Sequence, residues 1–390
     1  MNCLEKNNIP AGYKDSAVGV IPQEWEVKRL RNIAKCFSGG TPKSESEEMY
    51  GGTIPFIRSG EIHSNKTALF LTDDGLRQSS AKMVDVGDLI FALYGANSGD
   101  CAISQINGAI NQAILCIRSS SVINTFLHPY LELQKDRYIA KYLQGGQGNL
   151  SGEIVCSYTI PVPPMEEQRK IAEILGVWDE AIEKQSRLIE KLELRKRALM
   201  QRLLTGRTRL PGFTTPWQKV KLGEIAQIKK GKSLTSNDVK CGSYPVIAGG
   251  KESPYSHSEY TDEKVITVSA SGAYAGYISY HPHRIWASDC SVIKEIDATS
   301  SILFLYNLLL YKQDYIYFLQ VGGAQPHVFP KDIERIKLFC PPLTEQKAIA
   351  EVLTTADDEI ATHRKKLDAL RLQKRGLMQQ LLTGKTRVKI

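Results

Sequence analysis

The sequence lacks the features that mark membrane, secreted and metal-binding proteins. No apolar run reaches 18 residues, which excludes an ordinary membrane-spanning helix, and the first residues, MNCLEKNNIPAGYKD, contain no apolar core of a signal peptide. The eight cysteines are scattered without a Cys-x-x-Cys pair or a Cys/His cluster at zinc spacing, and His281 and His283 have no convincing third ligand. We therefore expect a cytoplasmic chain with reduced cysteines, no membrane partner and no metal of its own.

The signature of a loop that binds nucleotide phosphates is also missing. GKS at 231–233 and GKT at 384–386 each need a glycine five residues earlier, where the chain has Ala226 and Gln379. What is present is a length of 390 residues, which suits two or three domains, and a formal net charge of +8. This mild excess of positive charge permits a polyanion as a partner but does not identify one.

The clearest feature that is present is an internal repeat. PPMEEQRKIAEIL begins at Pro163 and PPLTEQKAIAEVL begins at Pro341, and the match continues without a gap through LLTGRTR and LLTGKTR. A weaker match lies upstream, where WEVKRLRNIA from Trp25 corresponds to WQKVKLGEIA from Trp217. Between these segments the two halves of the chain differ. The sequence therefore repeats one unit, a variable globular domain followed by a similar helical segment.

Both similar segments have the apolar spacing of a coiled coil. Apolar residues alternate at intervals of four and three, and the spacing predicts a seam formed by Ile171, Leu175, Trp178, Ile182, Ile189, Leu192, Leu199 and Leu203 in the first segment and by Ile349, Leu353, Ile360, Leu367, Leu370, Leu377 and Leu381 in the second. Polar residues interrupt both seams at matching positions, Gln185 with His363 and Lys196 with Lys374. Such polar residues usually fix the register of paired helices.

The predicted fold is two α/β (α+β) globular domains in tandem, each followed by a long helix. Glycine-broken apolar runs at 86–95, 107–118 and 264–279 predict strands, and 127–144 and 303–320 predict helices. We predict domain boundaries at 1–162, 163–209, 210–340 and 341–390, with the two long helices paired as an antiparallel coiled coil with pseudo-two-fold symmetry. A helix of about 39 residues is roughly 58 Å long, between one and two turns of B-DNA. Long amphipathic helices also occur in cores and oligomers, so the seam alone does not indicate DNA.

Several motifs resemble those of one known family. VGVIPQEW (18–25), the two PPxxEQxxIA segments and the two LLTG endings are similar to the specificity subunit of type I restriction-modification systems, from about residue 11 to residue 387. The second lead-in, FTTPWQKVKL (213–222), departs from the family's order of residues and is shorter than the lead-in of the first half. The resemblance implies that each recognition domain reads one half of a bipartite, asymmetric site in double-stranded DNA, while the helices set the spacing between the half-sites.

The same resemblance implies partners that carry the chemistry. Two methyltransferase subunits would dock on the helices and supply S-adenosylmethionine and the adenine-methylating site, and two restriction/translocase subunits would hydrolyse ATP with Mg²⁺. The chain itself would bind no cofactor and would be non-catalytic. Two absences agree with this prediction: no Asn/Asp-Pro-Pro-aromatic loop for a flipped adenine occurs, and no Pro-Asp dipeptide occurs to begin the usual nuclease motif. The alternatives left open are a self-sufficient fused restriction-methylation enzyme and a coiled-coil adaptor without DNA readout.

Residues that touch DNA are harder to predict, because the variable domains contain no residue-to-base code. Phosphate contacts need Lys or Arg, and base readout needs hydrogen-bonding side chains on glycine-containing loops. On this basis the DNA-binding candidates are Lys43, Arg58, Ser59, Lys66, Arg77, Tyr94, Asn97, Gln147 and Asn149 in the first domain and Lys229, Lys230, Lys232, Lys251, Tyr255, Tyr274, Arg284, Gln325 and His327 in the second. For each of them a solvated surface role is an equally good interpretation.

Overall fold

The computed structural model describes residues 9–43, 45–142, 149–235, 238–250 and 255–390. The chain forms two compact units: unit 1 is Met1–Lys184 with Leu367–Ile390, and unit 2 is Gln185–Lys366. Each long helix is divided between the units, so these units do not coincide with consecutive segments of sequence. The boundaries predicted at 162, 209 and 340 stay a prediction.

Unit 1 begins with a mixed α/β domain in which short strands alternate with short helices. Its strands are β1 (Tyr13–Lys14), β2 (Ile21–Pro22), β3 (Glu26–Arg29), β4 (Ala34–Ser38), β5 (Tyr50–Ile57), β6 (Leu69–Leu71), β7 (Lys82–Val84), β8 (Leu89–Ala92), β9 (Cys101–Ile103), β10 (Gly108–Ile110), β11 (Ile114–Ser119) and β12 (Thr159–Val162). Its helices are α1 (Leu30–Ile33), α2 (Asp73–Arg77), α3 (Asn124–Tyr142), α4 (Gly152–Cys156) and the first part of α5 (Met165–Leu203).

Two sheets form the centre of this domain. One sheet has the order β4-β11-β8-β9 with antiparallel neighbours, and the other has the order β6-β5-β10-β7, in which β10 runs parallel to β5. The strand predicted within 86–95 is β8, and all four of its residues are buried. A continuous apolar run suits a strand that is covered on both faces. The run predicted at 107–118 divides into β10 and β11, so the chain turns from one sheet to the other between them.

Unit 2 repeats this architecture with different residues. Its strands are β13 (Gln218–Lys221), β14 (Ala226–Lys230), β15 (Tyr244–Ile247), β16 (Ser256–His257), β17 (Val265–Ser269), β18 (Ile278–His281), β19 (Trp286–Ala287), β20 (Cys290–Glu295) and β21 (Lys337–Cys340). Its helices are the rest of α5, α6 (Leu222–Ile225), α7 (Ile302–Tyr311), α8 (Gln313–Phe318), α9 (Pro330–Glu334) and most of α10 (Leu343–Leu381), whose last part belongs to unit 1. The sheet order β14-β20-β17-β18 matches β4-β11-β8-β9, and β15 runs parallel to β19 as β5 runs parallel to β10. The prediction of tandem α/β domains, each followed by a long helix, is confirmed.

Both long helices begin directly after a Pro-Pro pair and end shortly before a glycine. Acidic residues occupy the first turn of each helix, where their negative charge interacts favourably with the positive end of the helix dipole. Gly206 and Gly384 have φ values of 70° and 73°, the left-handed conformation that commonly ends a helix. The 303–320 segment, predicted as one helix, is instead interrupted at Lys312, which has φ −97° and ψ 15°.

Glutamine and glutamate in the first turn of each long helix connect it to its recognition domain. In unit 1 the buried Gln168 donates from Nε2 to the Ser121 and Pro163 carbonyl oxygens (3.1 and 2.9 Å), and its Oε1 accepts from the Ile123 N–H (3.0 Å). In unit 2 Gln346 makes the same three bonds, to Thr299, Pro341 and Ser301. These contacts explain why the EQ pair is repeated in the sequence: it fixes the angle at which the helix leaves the domain.

The neighbouring glutamate explains the repeated tryptophan. In unit 1 the fully buried Glu167 accepts from the Trp25 indole N–H (2.8 Å) and from Nε of Arg387 (2.7 Å). In unit 2 Glu345 accepts from Trp217 Nε1 (3.1 Å) and Arg209 Nε (2.5 Å).

The long helices run antiparallel to each other inside each unit. In unit 1 an ion pair joins Lys374 of α10 to Asp179 of α5 (2.6 Å). In unit 2 the corresponding pair is Lys196 and Asp357 (2.6 Å), and the two matching polar seam residues meet where Gln185 Nε2 approaches His363 Nδ1 (2.8 Å).

The seam positions are mostly buried, with a one-residue shift near the helix ends. Buried seam residues are Ile171, Leu175, Ile189, Leu192, Leu203, Ile349, Leu353, Ile360, Leu367 and Leu381, and half-buried ones are Trp178, Ile182, Leu199, Leu370 and Leu377. Met200 and Met378 are buried beside the half-buried Leu199 and Leu377. A continuous coiled coil with pseudo-two-fold symmetry stays a prediction.

Candidate nucleic-acid interface

The loop between β8 and β9 in unit 1 forms a tight turn that we call tip 1 (93–99). Its base is fixed by backbone hydrogen bonds: the Leu93 N–H donates to the Ala113 carbonyl oxygen and the Leu150 N–H donates to the Leu93 carbonyl oxygen, both at 2.8 Å. Gly95 and Gly99 have φ values of 87° and 86°, which only glycine adopts without strain. Tip 1 is therefore a rigid turn presented by the buried strand β8.

Three DNA-binding candidates meet at tip 1. Asn97 Nδ2 donates to the Ser59 carbonyl oxygen (3.2 Å), which brings the 58–61 turn against the tip. Next to Ser59, the exposed Arg58 pairs through Nε with Glu61 Oε2 (3.2 Å). Burial alone would raise the pKa of Glu61, but hydrogen bonds from Arg58 and from the Ala68 N–H lower it below its usual value. Arg58 is therefore already held by an internal partner, which orients its guanidinium at the surface.

Of the remaining candidates of unit 1, Tyr94 and Asn149 also lie at tip 1, and the others lie elsewhere. Asn149 is exposed and precedes Leu150, so it lies at the base of tip 1, and Lys43 and Lys66 are exposed on loops. Arg77, at the end of α2, is paired with Asp74. Tyr94 is half-buried against the core, and this burial raises the pKa of its hydroxyl. Gln147 lies outside the described residues.

The loop between β17 and β18 in unit 2, which we call tip 2 (270–276), repeats the backbone of tip 1. The Ala270 N–H donates to the Asp289 carbonyl oxygen (3.1 Å), and the Val328 N–H donates to the Ala270 carbonyl oxygen (3.0 Å). Gly272 and Gly276 have φ values of 77° and 85°. Tyr274, His327 and Gln325 therefore lie around one tip, since Ser271 pairs with His327 through a β-bridge and the Gly272 N–H donates to the Pro326 carbonyl oxygen.

Among the basic residues of the 228–233 run, two have partners within unit 2. Lys229 pairs with Asp262 (2.8 Å), a carboxylate whose side chain is 2% exposed, and Lys294 pairs with the same oxygen (2.9 Å). Lys232 lies over the Trp286 ring, 5.0 Å from its centroid. Lys230, at the end of β14, is exposed, and no ion pair involves it among the described residues. Lys230 is therefore the lysine of this run that is best placed to bind phosphate.

Other candidates of unit 2 are exposed basic or aromatic residues. Arg284 pairs with Glu263 (3.2 Å) and lies over the Tyr260 ring, 4.6 Å from its centroid. Tyr255 and Tyr274 are 61% and 44% exposed. Lys251 lies outside the described residues.

Sequence reasoning missed the partners of these residues and the equivalence of the tips. Glu61 forms an ion pair with Arg58 across a turn, and Asp262 forms one with Lys229, from which it is separated by several strands. The sequence does not show either partner. One signal was available: YGANSG and SGAYAG share a Gly-Ala-x-x-Gly pattern.

The described residues contain no arrangement suited to metal binding. No group of three or more His, Cys, Asp or Glu side chains that could hold a metal ion occurs among them. His281 Nε2 instead lies 2.9 Å from the Thr267 hydroxyl, and burial, followed by the proximity of His283, lowers the pKa of His281 to about 4. Among all the residues that the structure describes, none of the helices has the length and apolar character of a membrane span.

Comparisons with known proteins agree on one family. The profile described as type I restriction modification DNA specificity domain matches the chain twice, over residues 22–194 and 214–372. Two relatives from Methanocaldococcus jannaschii are the type I restriction enzyme specificity subunits MjaX, 27% identical over 97% of this chain and 97% of its own, and MjaVIII, 25% identical over 95% and 94%. The crystal structure of a type I restriction-modification system S subunit from M. genitalium has 18% identity and a TM-score of 0.62, and covers 99% of this chain and 98% of that one. At this low identity, the structural similarity concerns the fold.

Proposed function

Because the chain belongs to the type I restriction modification DNA specificity domain family, we propose that it is the DNA-reading subunit of such a system and that each unit reads one half of a bipartite site. The observation that carries this proposal is the repeated tip. Two domains with different sequences hold the same backbone turn in the same way, and each turn presents a different set of polar and aromatic side chains. One scaffold with two different surfaces suits an asymmetric DNA sequence.

We propose further that α5 and α10 form one antiparallel spacer between the two readers. The support is that the helix contacts inside unit 1 recur inside unit 2 with partners displaced by 178 residues, as Asp179 and Lys374 correspond to Asp357 and Lys196. A spacer with equivalent ends would fix the number of unread base pairs. Two methyltransferase subunits would bind along it and supply S-adenosylmethionine, and two restriction/translocase subunits would supply ATP hydrolysis with Mg²⁺. The chain itself would be non-catalytic.

The test begins with the complex of this chain and its methyltransferase partner. Sequencing of methylated adenines and footprinting on the resulting site should give two protected half-sites separated by a fixed gap. Insertion of one heptad into each helix at matching positions should lengthen the spacer by about 10 Å and widen the gap by about 3 base pairs. Insertion of the same seven residues into the 210–216 linker, after the exposed Gly212, is the control and should leave the gap unchanged. A single continuous footprint, or no DNA binding at low salt as expected for a coiled-coil adaptor, would contradict the proposal.

A further inference from the structure

The two tips have the same internal geometry down to the residue at their apex. In tip 1 the Ser98 N–H donates to the Gly95 carbonyl oxygen (3.1 Å), and in tip 2 the Ala275 N–H donates to the Gly272 carbonyl oxygen (3.0 Å). The strands at the base also match, since the N–H of each closing glycine bonds back to the last strand residue, from Gly99 to Ala92 at 2.9 Å and from Gly276 to Ser269 at 2.8 Å. These matching hydrogen bonds give each residue of tip 1 a structurally equivalent residue in tip 2.

By this correspondence, Asn97 in tip 1 and Tyr274 in tip 2 occupy equivalent positions. The carbonyl oxygen of Asn97 accepts from the Asp100 N–H at 2.9 Å, and that of Tyr274 accepts from the Tyr277 N–H at 2.9 Å. The backbone conformation at this position is therefore fixed in the same way in both units, and the side chain is what differs. Tyr274 is exposed and Asn97 is half-buried.

The side-chain chemistry at this position differs in a way that bears on base recognition. One N–H of the Asn97 amide is used by the Ser59 carbonyl oxygen, which holds the amide plane still. The other N–H and the Oδ1 atom remain to make the paired donor and acceptor contact that suits adenine N7 and N6. Tyrosine has a single hydroxyl and a flat apolar ring, so it cannot reproduce that paired contact.

We propose that the apex position, Asn97 in tip 1 and Tyr274 in tip 2, selects a base in each half-site, with Asn97 selecting adenine. The inference rests on the proposed function and deepens it, because it assigns specificity at one position per half-site to a single pair of equivalent residues. The flanking residues Ala96 and Ala273 are exposed but have no hydrogen-bonding side chain, and the Ser98 hydroxyl already donates to the Leu93 carbonyl oxygen (2.9 Å), so at the apex it is the side chain of Asn97 or Tyr274 that is left to contact a base.

The experiment uses the full chain in complex with its methyltransferase partner and a randomised duplex library, from which bound half-site sequences are determined. Asn97→Tyr should reduce the preference for adenine at one position of one half-site by about tenfold or more and leave the other half-site unchanged. Tyr274→Asn should change one position of the other half-site only. Ala96→Ser and Ala273→Ser are matched controls on the same tips and should leave both half-sites as in the original chain.

Two outcomes separate this inference from the proposed function. If the variants bind DNA with both half-site preferences unaltered, the selector role is wrong while the DNA-reading function stands. If the unaltered complex has no bipartite preference, the proposed function itself fails. Asn97→Ser keeps a small polar side chain in the turn and serves if Asn97→Tyr does not fold. It should lose adenine discrimination at the same position, and retention of that discrimination would overturn the inference.

Discussion

Removal of the Arg387 charge should destabilise unit 1 much more than removal of an ordinary surface charge. Arg387 contacts the Glu167 carboxylate with both Nε and a terminal nitrogen, at 2.7 and 3.0 Å, and the Glu167 side chain is completely buried. Hydrogen bonds to Glu167 and Glu24 raise the pKa of Arg387 above its usual value. In Arg387→Met the apolar stem is kept, but the buried carboxylate loses its counter-charge.

The expected cost follows from what remains around that carboxylate. Breaking a buried ion pair by removing one partner typically costs about 3–5 kcal/mol. Trp25 still donates to Glu167 in the variant, and Arg387 is 35% exposed in the original chain, so the lower end, about 3 kcal/mol, is expected. For a unit of this size, 1 kcal/mol corresponds to roughly 2–4 °C, so the Tm of unit 1 should fall by roughly 6–12 °C.

The assay is thermal and urea unfolding of the full chain, with Arg169→Met as the matched control. Arg169 pairs with Glu166 on the exposed face of α5, the helix that also carries Glu167. Such exposed pairs contribute about 0–1 kcal/mol. The double variant Arg387→Met with Glu167→Gln should be more stable than Arg387→Met alone, because the uncompensated charge is gone. If Arg387→Met costs no more than the control, or if the double variant shows no recovery, the reasoning about the buried carboxylate is wrong.

Further outcomes concern DNA affinity, pH and helix register. Lys230→Gln should reduce the slope of log affinity against log salt by about 1, whereas Lys229→Gln should mainly lower the stability of unit 2, because Lys229 is paired with a buried carboxylate. Burial lowers the pKa of His281 to about 4, below its value of 6.5 in an unfolded chain, so the unfolded chain takes up the proton first and stability falls as pH decreases from about 6.5 to about 4. His281→Gln should remove this part of the acid sensitivity in urea titrations at the two pH values. Replacing both Gln185 and His363 by leucine should raise the thermal stability of the helix pair and weaken its register, measured by disulfide trapping between engineered cysteines.

The helices could be predicted from sequence because their signals are local. The heptad spacing, the Pro-Pro starts and the glycine ends all lie within the segment that they define, and α5 and α10 follow them. The mixed α/β domains could be predicted as a class, because apolar runs and glycine turns are also local. The interruption at Lys312 could not, since 303–320 is apolar and regular enough for one helix.

The candidate site was predictable only in part, because it depends on contacts between distant residues. The charges of Lys229 and Arg58 are visible in the sequence, but their partners are not. The sequence alone does not distinguish a lysine that is paired with a buried carboxylate from a lysine that faces solvent. Only the fold distinguishes Lys229 from its neighbour Lys230.

The buried contacts of Glu167 determine stability, whereas we propose that the side chains at the apex of each tip determine recognition. Glu167 is buried between a tryptophan and an arginine, so a change there costs several kcal/mol. The turns that carry Asn97 and Tyr274 are held by backbone hydrogen bonds and glycines, so a change of the exposed Tyr274 should stay within about 0.5 kcal/mol. A change of the half-buried Asn97 also removes its hydrogen bond to the Ser59 carbonyl oxygen, which is worth about 1 kcal/mol. It follows that substitutions at the apex can change what a unit reads while the fold and the helix contacts persist. Two units built on one scaffold can therefore differ in sequence preference at a small cost in stability.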